Sequence, residues 1–469
     1  MFSDNWFALL ALSVVALLYV LIWFLGRKGF NWNLLLVFSL VAGIFIGLLF
    51  CDEGWLINAL RVLLHDESGQ VYFTDNLQYV SLIGRVYIGI TEALVAPLIL
   101  LAILSSVMSL GNSHKLKTLG TRSLFWLLFN TAISIVLTIG VSILVGVGKN
   151  TNLTIEGVSA TKYEGINTQF IDVLEGFFPH NIFNELAQNK VVPIIITALV
   201  LAVAYLSFDD KEKLETFYKG VEALKGLIFK VVGFVVDLIP FAILAIGADA
   251  AGTIGGRWDT IQPLLVVILV IIGLCLFQTF IVGGLFVKFG ANLNPVIFFR
   301  KLMPAMMAGF STQSTIAALP MTISRLVTKI GVKEEVGNFT ATLGSTIGMP
   351  GCSGIWPITL AIFAVNFLGI SYTPMQYVTL GLIALAVSFG TAGVAGTAVI
   401  TVTAVYTTAG LPLEVFVLLF PISFIVGMFR TPTNVSCAAA AAVIVARQTG
   451  ALDEDVFYER APQELVIGK

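Results

Sequence analysis

Phe424-Ile425-Val426-Gly427-Met428-Phe429-Arg430-Thr431-Pro432-Thr433-Asn434-Val435 places a permanent positive charge inside an apolar run that continues to Val445. A guanidinium does not give up its proton in a protein. Inside a bilayer such a charge must face a partner or a polar cavity, so it marks a functional site. The nearest acids in the segment, Glu414 and Asp453, lie at its two ends. Two kinds of partner stay open: a carboxylate on another span, Glu92 or Asp237, and a carboxylate on a ligand.

Composition sets the class of molecule around that charge. The chain has 469 residues, 57% hydrophobic and only 12% charged, against about 25% charged in a soluble domain. This is the balance of an all-α, multi-pass membrane protein. Three histidines and four scattered cysteines (Cys51, Cys275, Cys352, Cys437) show neither metal-ligand spacing nor a CxxC pair. The N-terminus lacks the basic region of a secretory signal, and the first apolar run reads as a retained helix.

Apolar stretches fall near 6–26, 33–50, 79–110, 122–148, 190–207, 218–247 and 261–289, each read as a span. The stretch 79–110 exceeds the roughly 20 residues a crossing needs, so tilt or extension beyond the bilayer is expected. Basic residues follow alternate spans: Arg27 and Lys28, then Lys115, Lys117 and Arg122, then Lys211, Lys213 and Lys219, then Arg300 and Lys301. The intervening loops are acidic, with Asp52, Glu53, Asp66, Glu67 and Asp75, then Glu156, Glu164, Asp172 and Glu175. The positive-inside bias puts the N-terminus outside and the basic loops and C-terminus in the cytoplasm.

The pattern changes after about residue 294. Ala308 to Pro320 and Ser388 to Ala398 are apolar stretches interrupted by small and hydroxyl residues. Each has only about 15 apolar residues on either side, short of a crossing. Two short helices meeting at such a tip make a re-entrant hairpin, which survives at membrane depth only inside protein or beside water. Each hairpin precedes a long apolar segment with its own interruption: 336–370 at Gly348-Met349-Pro350-Gly351-Cys352-Ser353-Gly354, and 412–446 at Arg430-Thr431-Pro432. Interrupted segments in corresponding halves point to a transporter site near the midplane. Half-helix N-termini there offer N–H groups to an anion. Glu92 is either a proton-carrying acid or a structural charge, Asp237 is similar, and Trp356 and Trp23 read as interface or packing aromatics.

These residues resemble a known family. Phe178-Pro179-His180-Asn181-Ile182-Phe183 with Gln188-Asn189-Lys190-Val191-Val192-Pro193 looks like the loop entering the fourth core span of the dicarboxylate/amino acid:cation symporters. Ser311 to Pro320, Gly390-Thr391-Ala392-Gly393-Val394, and Arg430-Thr431 with Asn434-Val435 match its two hairpins and last helix. The resemblance covers about 31–450, and the break at 348–354 with Pro432 is most similar to the L-cystine uptake branch. It implies the glutamate-transporter-like fold with inverted repeats, assembled as a homotrimer in a bacterial cytoplasmic membrane. Residues 1–30 are then an added helix, and 31–110 and 190–254 are mainly scaffold. The third core span and extracellular loop (111–189) join 255–450 in a transport domain, with a cytoplasmic tail at 451–469. Within 255–450 fall hairpin 1 (about 295–330), the broken seventh span (336–370), hairpin 2 (about 376–409) and the eighth span (412–447).

The resemblance also assigns roles. Substrate would meet Ser314 and Thr315, Met349 and Cys352, the backbone of Gly393, Val394, Ala395 and Gly396, then Gly427, Arg430, Thr431 and Asn434. A coupling cation would meet carbonyl oxygens at Thr346, Ser388, Phe389 and Thr391, with Gly344 and Gly348 beside them. Several family carboxylates are replaced: the unwound Asn-Met-Asp-Gly is Gly348-Met349-Pro350-Gly351, one closing aspartate is Ala438, and the aspartate that holds a substrate amino group is Gly427. The coupling ion is therefore sodium at the carbonyl site or a proton. Glycine at 427 is expected to enlarge the cavity for a longer substrate, with Arg430 and Asn434 each taking one carboxylate of L-cystine and the disulfide beside Met349 and Cys352. No other cofactor is expected. The reading is a secondary importer, with an acidic amino acid or C4-dicarboxylate symporter as alternative. An ion channel is more distant, since channels line an open pore with rings of carbonyls or charges. A membrane enzyme lacks its catalytic signatures here.

Overall fold

The computed structural model describes residues 6–30, 32–50, 74–108, 114–149, 151, 178–208, 210–254, 258–390 and 398–460. Among them every regular element is helical, with one isolated β-bridge between Val332 and Leu452. All seven apolar runs of the first part of the chain are helical. One of them, 218–247, holds two helices, and a short helix outside the runs brings the described α-helices there to nine: α1 (Trp6–Arg27), α2 (Trp32–Phe50), α3 (Thr74–Met108), α4 (His114–Val145), a short α5 (Ile182–Ala187), α6 (Val191–Ser207), α7 (Glu215–Asp237), α8 (Ile239–Ile254) and α9 (Trp258–Leu276). By length and apolarity, Thr118–Val145, Gln262–Gly290, Pro350–Phe367 and Leu413–Gln448 can each cross a bilayer.

The run 218–247, expected as one span, is two helices bent by 47°. Pro240 explains the bend: it has no N–H for the Val236 carbonyl and its ring crowds that carbonyl, so the helix restarts at Ile239. Beyond α9 the chain winds into two π-helical stretches, Phe277–Val282 and Phe286–Gly290. Such widened turns are frequent at functional sites.

The first interrupted stretch is a helical hairpin. α10 (Pro295–Thr312) and α11 (Thr315–Thr328) flank a turn at Gln313-Ser314. Asn294 caps α10 through Val296 N and Ile297 N, and Ser314 caps α11 through Ala317 N. Gln313 holds the left-handed conformation, φ 51°, that ends α10. α12 (Glu334–Gly344) stops at Ser345, and the chain resumes as a π-helical turn, Pro350–Ile355, leading into α13 (Trp356–Phe367). α14 (Pro374–Val387) begins with a capping box between Thr373 and Gln376. α15 (Ala398–Ala409) runs beside α14. The connecting tip 391–397 lies outside the described residues, and with it Thr391, Gly393, Val394, Ala395 and Gly396.

The interruption expected at Arg430-Thr431-Pro432 is absent. α17 (Ser423–Gln448) runs through Pro432 without a break. The irregular turn falls earlier, at Phe420–Ile422, between α16 (Leu413–Leu419) and α17. Pro432 cannot donate to the Met428 carbonyl. Its neighbours add side-chain bonds to the adjacent carbonyls, however: Thr431 Oγ1 donates to Gly427 O at 3.1 Å and Thr433 Oγ1 to Phe429 O at 2.9 Å. Hydroxyls of this kind let proline stand inside membrane helices.

Two packing groups organise the bundle. α3 lies against α6, α7 and α8, with α2 on α8. α10, α11, α12 and the π-turn at 350–355 lie against α17, with α4 also on the π-turn. α1 joins the first group through Val15 and Ile22, buried with Leu35 and Leu244. The tail does not hang free: α18 (Glu454–Tyr458) folds back against the base of the 295–328 hairpin, where Asp453 N donates to Gly331 O at 2.7 Å.

Candidate functional site

The site is built where the 345–355 break, the Gln313-Ser314 turn and the middle of α17 converge. Small residues make that convergence possible. A Cβ added at Gly351 would stand 2.6 Å from the Arg430 carbonyl oxygen and 3.0 Å from Asn434 Oδ1, so only glycine lets the break touch α17. Gly348 takes φ +66°, where glycine alone is unstrained, with the Leu127 backbone also in the way of any side chain. The break is then tied on both sides. Gly351 N donates to Asn434 Oδ1 at 2.8 Å, and Asn434 Nδ2 donates to Cys352 Sγ at 3.0 Å. Thr401 Oγ1, on α15, donates to Cys352 O at 2.9 Å, and Gly348 N donates to Ser388 O at 3.0 Å.

Arg430 is 4% exposed. Its Nη2 donates to Ser423 O at 3.0 Å, one α17 turn-pair earlier. Its guanidinium carbon stands 4.6 Å from the centre of the Trp356 ring, a cation–π contact that gains strength away from water. Nε and Nη1 have no hydrogen-bond partner among the described residues. No described carboxylate forms an ion pair with it; the described pairs join Lys213–Asp210, Lys219–Glu215, Lys225–Glu222, Lys301–Glu459 and Arg447–Glu454. Asp237 is exposed at the end of α7, and the Glu92 side chain lies outside the description. Of the two roles read for Trp356, interface or packing, the structure gives it packing: it is fully buried, opening α13 directly behind the break.

The other expected substrate residues occupy three positions around Arg430. Ser314 and Thr315 are buried at the first tip; Thr315 Oγ1 donates to Ser345 O at 3.2 Å and approaches Met349 Sδ at 3.6 Å. Met349 is buried, Cys352 is half-buried, and Thr431 and Asn434 are buried on α17. Asn434 is committed to the break on both sides of its amide, which keeps one N–H and one lone pair for anything else. The cavity expected beside Gly427 is already taken: a Cβ there would meet Gln313 Oε1 at 2.5 Å. The sequence reading missed Gln313, whose only signal was a long amide side chain among the small residues of the tip.

For a cation, the described oxygens are neutral. Ser388 is fully buried, Thr346 and Phe389 are half-buried, and the Gly348–Ser388 bond joins the two segments that carry them. Gly344 is enclosed by carbon, since a Cβ there would meet Ala438 Cβ at 2.7 Å and Leu127 Cδ2 at 3.0 Å. Among the described residues no group of three His, Cys, Asp or Glu side chains could hold a metal. A second polar pair escaped the sequence reading: Gln278, on the first π-helical stretch, donates to Asn130 Oδ1 of α4 at 2.5 Å, leaving Asn130 Nδ2 and Gln278 Oε1 unsatisfied among the described residues.

Chemically, the arrangement offers a dry guanidinium for one carboxylate, soft sulfur beside it, and backbone oxygens for a small cation. Among the described residues it pairs no nucleophile with a base. Comparisons agree with a transporter. The family profile for the sodium:dicarboxylate symporter family matches residues 33–448. An uncharacterized symporter of Haemophilus influenzae is 30% identical, over 86% of this chain and 92% of that protein. The L-cystine uptake protein TcyP of Bacillus cereus is 25% identical, over 95% of each chain, and that of Shouchella clausii 26% identical, over 97% of each.

Proposed function

The chain belongs to the sodium:dicarboxylate symporter family, and from that premise we propose that it is a cation-driven importer of L-cystine. It is a multi-pass transporter and not an enzyme. The observation that carries the substrate class is Arg430, buried, set against the Trp356 ring and holding two nitrogens, Nε and Nη1, without a described partner. A charge of that kind needs an anion, and an amino acid brings one. Sulfur at Met349 and Cys352 supports a disulfide-bearing substrate, as do relatives described as L-cystine uptake proteins.

On this reading the packing group around α3 is the scaffold of a homotrimer, and the hairpin, break and α17 move together as the transport body. The tip at 391–397 is the outer gate, and the N-terminus lies outside the bacterial cytoplasmic membrane. Thr346, Ser388, Phe389 and Thr391 would offer carbonyl oxygens to sodium, which suits a hard cation; a proton is the other coupling ion. The family's own description favours a second reading, in which an acidic amino acid or C4-dicarboxylate is carried.

Uptake of labelled L-cystine into proteoliposomes, with sodium and pH gradients imposed separately, tests the proposal. The expected result is concentrative uptake under one gradient, blocked by unlabelled cystine and little affected by succinate or aspartate. Stronger competition by the dicarboxylates assigns the second reading. Steady current without counterflow sinks both.

A further inference from the structure

Gln313 stands where the first tip meets α17, and its backbone is left-handed at φ 51°. A Cβ built on Gly427 would lie 2.5 Å from Gln313 Oε1, 3.3 Å from Gln313 Cδ and 3.4 Å from Arg430 Nη2. The amide therefore occupies the place a side chain at 427 would take, close to the guanidinium, and glycine at 427 is what lets it lie there.

We infer that the Gln313 amide is a specificity-determining group, accepting a hydrogen bond from the substrate ammonium while Arg430 takes the carboxylate. This rests on the proposed amino-acid substrate and deepens it. An amino acid presents an ammonium one carbon from its carboxylate, so a site that anchors one has an acceptor for the other within a few ångströms. A carboxylate in that place would pair with Arg430 and spend its charge. A neutral amide accepts from the ammonium and leaves the guanidinium for the ligand. Any side chain at 427 would push the amide aside, so Gly427 belongs to the same device.

The test compares L-cystine with dithiodipropionic acid, which is cystine without its two amino groups, by calorimetric binding to purified full-length protein. Wild type is expected to prefer cystine. Gln313→Ala should weaken cystine about tenfold, the loss of one charge-assisted hydrogen bond, and leave dithiodipropionic acid within twofold. Gly427→Ala should do the same, because its new methyl displaces only the end of a flexible side chain. The double variant should be no worse than either single one, as coupled residues behave. Gln313→Glu should lower affinity for dithiodipropionic acid further, by competing for Arg430. Equal loss of both ligands in Gln313→Ala, no loss of either, or additive effects in the double variant would overturn the inference. Arg430→Ala separates the two levels: if it abolishes binding of both ligands while Gln313→Ala changes nothing, the functional reading stands and the inference falls. Failure of wild type to bind cystine removes both.

Discussion

Arg430 is held by one carbonyl and one aromatic face, a light grip for a charge at this depth. Trp356, fully buried against the guanidinium, is expected to have two duties, filling the volume beside it and offering it a π-face. Substitution separates them. Trp356→Phe keeps a weaker π-face and should reduce L-cystine affinity less than about threefold, whereas Trp356→Leu removes the face and should cost about tenfold, of the order of a desolvated cation–π contact. Calorimetry on monodisperse protein checks the order; equal losses would mean that the ring only fills volume. The sequence made Arg430 legible because a charge in an apolar run has few explanations. It hid Trp356, since depth is not written in a residue that serves interfaces and cores alike. It hid Gln313 as well, because its meeting with Gly427 joins positions far apart in the chain.

At the scale of elements, the interruption that matters is the one at 345–355, and its glycines carry the contact. Gly351→Ala would push a methyl into the Arg430 carbonyl, a backbone atom with nowhere to go. Overpacking of that kind costs about 1–3 kcal/mol, so a lower Tm and weaker binding are expected together. Gly140→Ala, on the open face of α4 with nothing within 4 Å, should hold or slightly raise Tm, because alanine is the better helix former. Identical shifts in the two variants would contradict the contact. The helical nature of the seven apolar runs, the helical hairpin at 295–328 and the interruption at 345–355 were legible from apolar length and small-residue tips. The expected break at Pro432 was not, because proline predicts a lost hydrogen bond but not the threonine hydroxyls beside it. The bend at Leu238 was missed for the opposite reason: hydropathy is blind to Pro240.

Across the whole molecule, the basic loops read in sequence as scattered charge, yet one of those lysines is structural. Lys301 is 9% exposed; its Nζ donates to Lys329 O at 2.9 Å, Val456 O at 3.2 Å and Phe457 O at 2.7 Å, and stands 3.2 Å from Glu459. It clasps the tail to the base of the hairpin, so hairpin, α17 and tail are expected to move as one body. Lys301→Met should lower Tm and loosen the tail to proteolysis while leaving L-cystine affinity within about twofold, since the clasp touches none of the site residues; unchanged Tm would show that it holds nothing. The hydrogen bond and charge of Lys301 hold Glu459 below the usual carboxylate range. A depressed carboxylate contributes stability above its unfolded pKa and loses it as pH falls through the folded one. The difference in Tm between wild type and Glu459→Gln should therefore be present at neutral pH and fade in acid. The central claim is that a substrate carboxylate is the partner of the stranded guanidinium. Binding of labelled L-cystine to purified Arg430→Ala protein tests it most directly: affinity should fall by at least tenfold, as the loss of a charge-assisted hydrogen bond requires, and retention within twofold of wild type would contradict it.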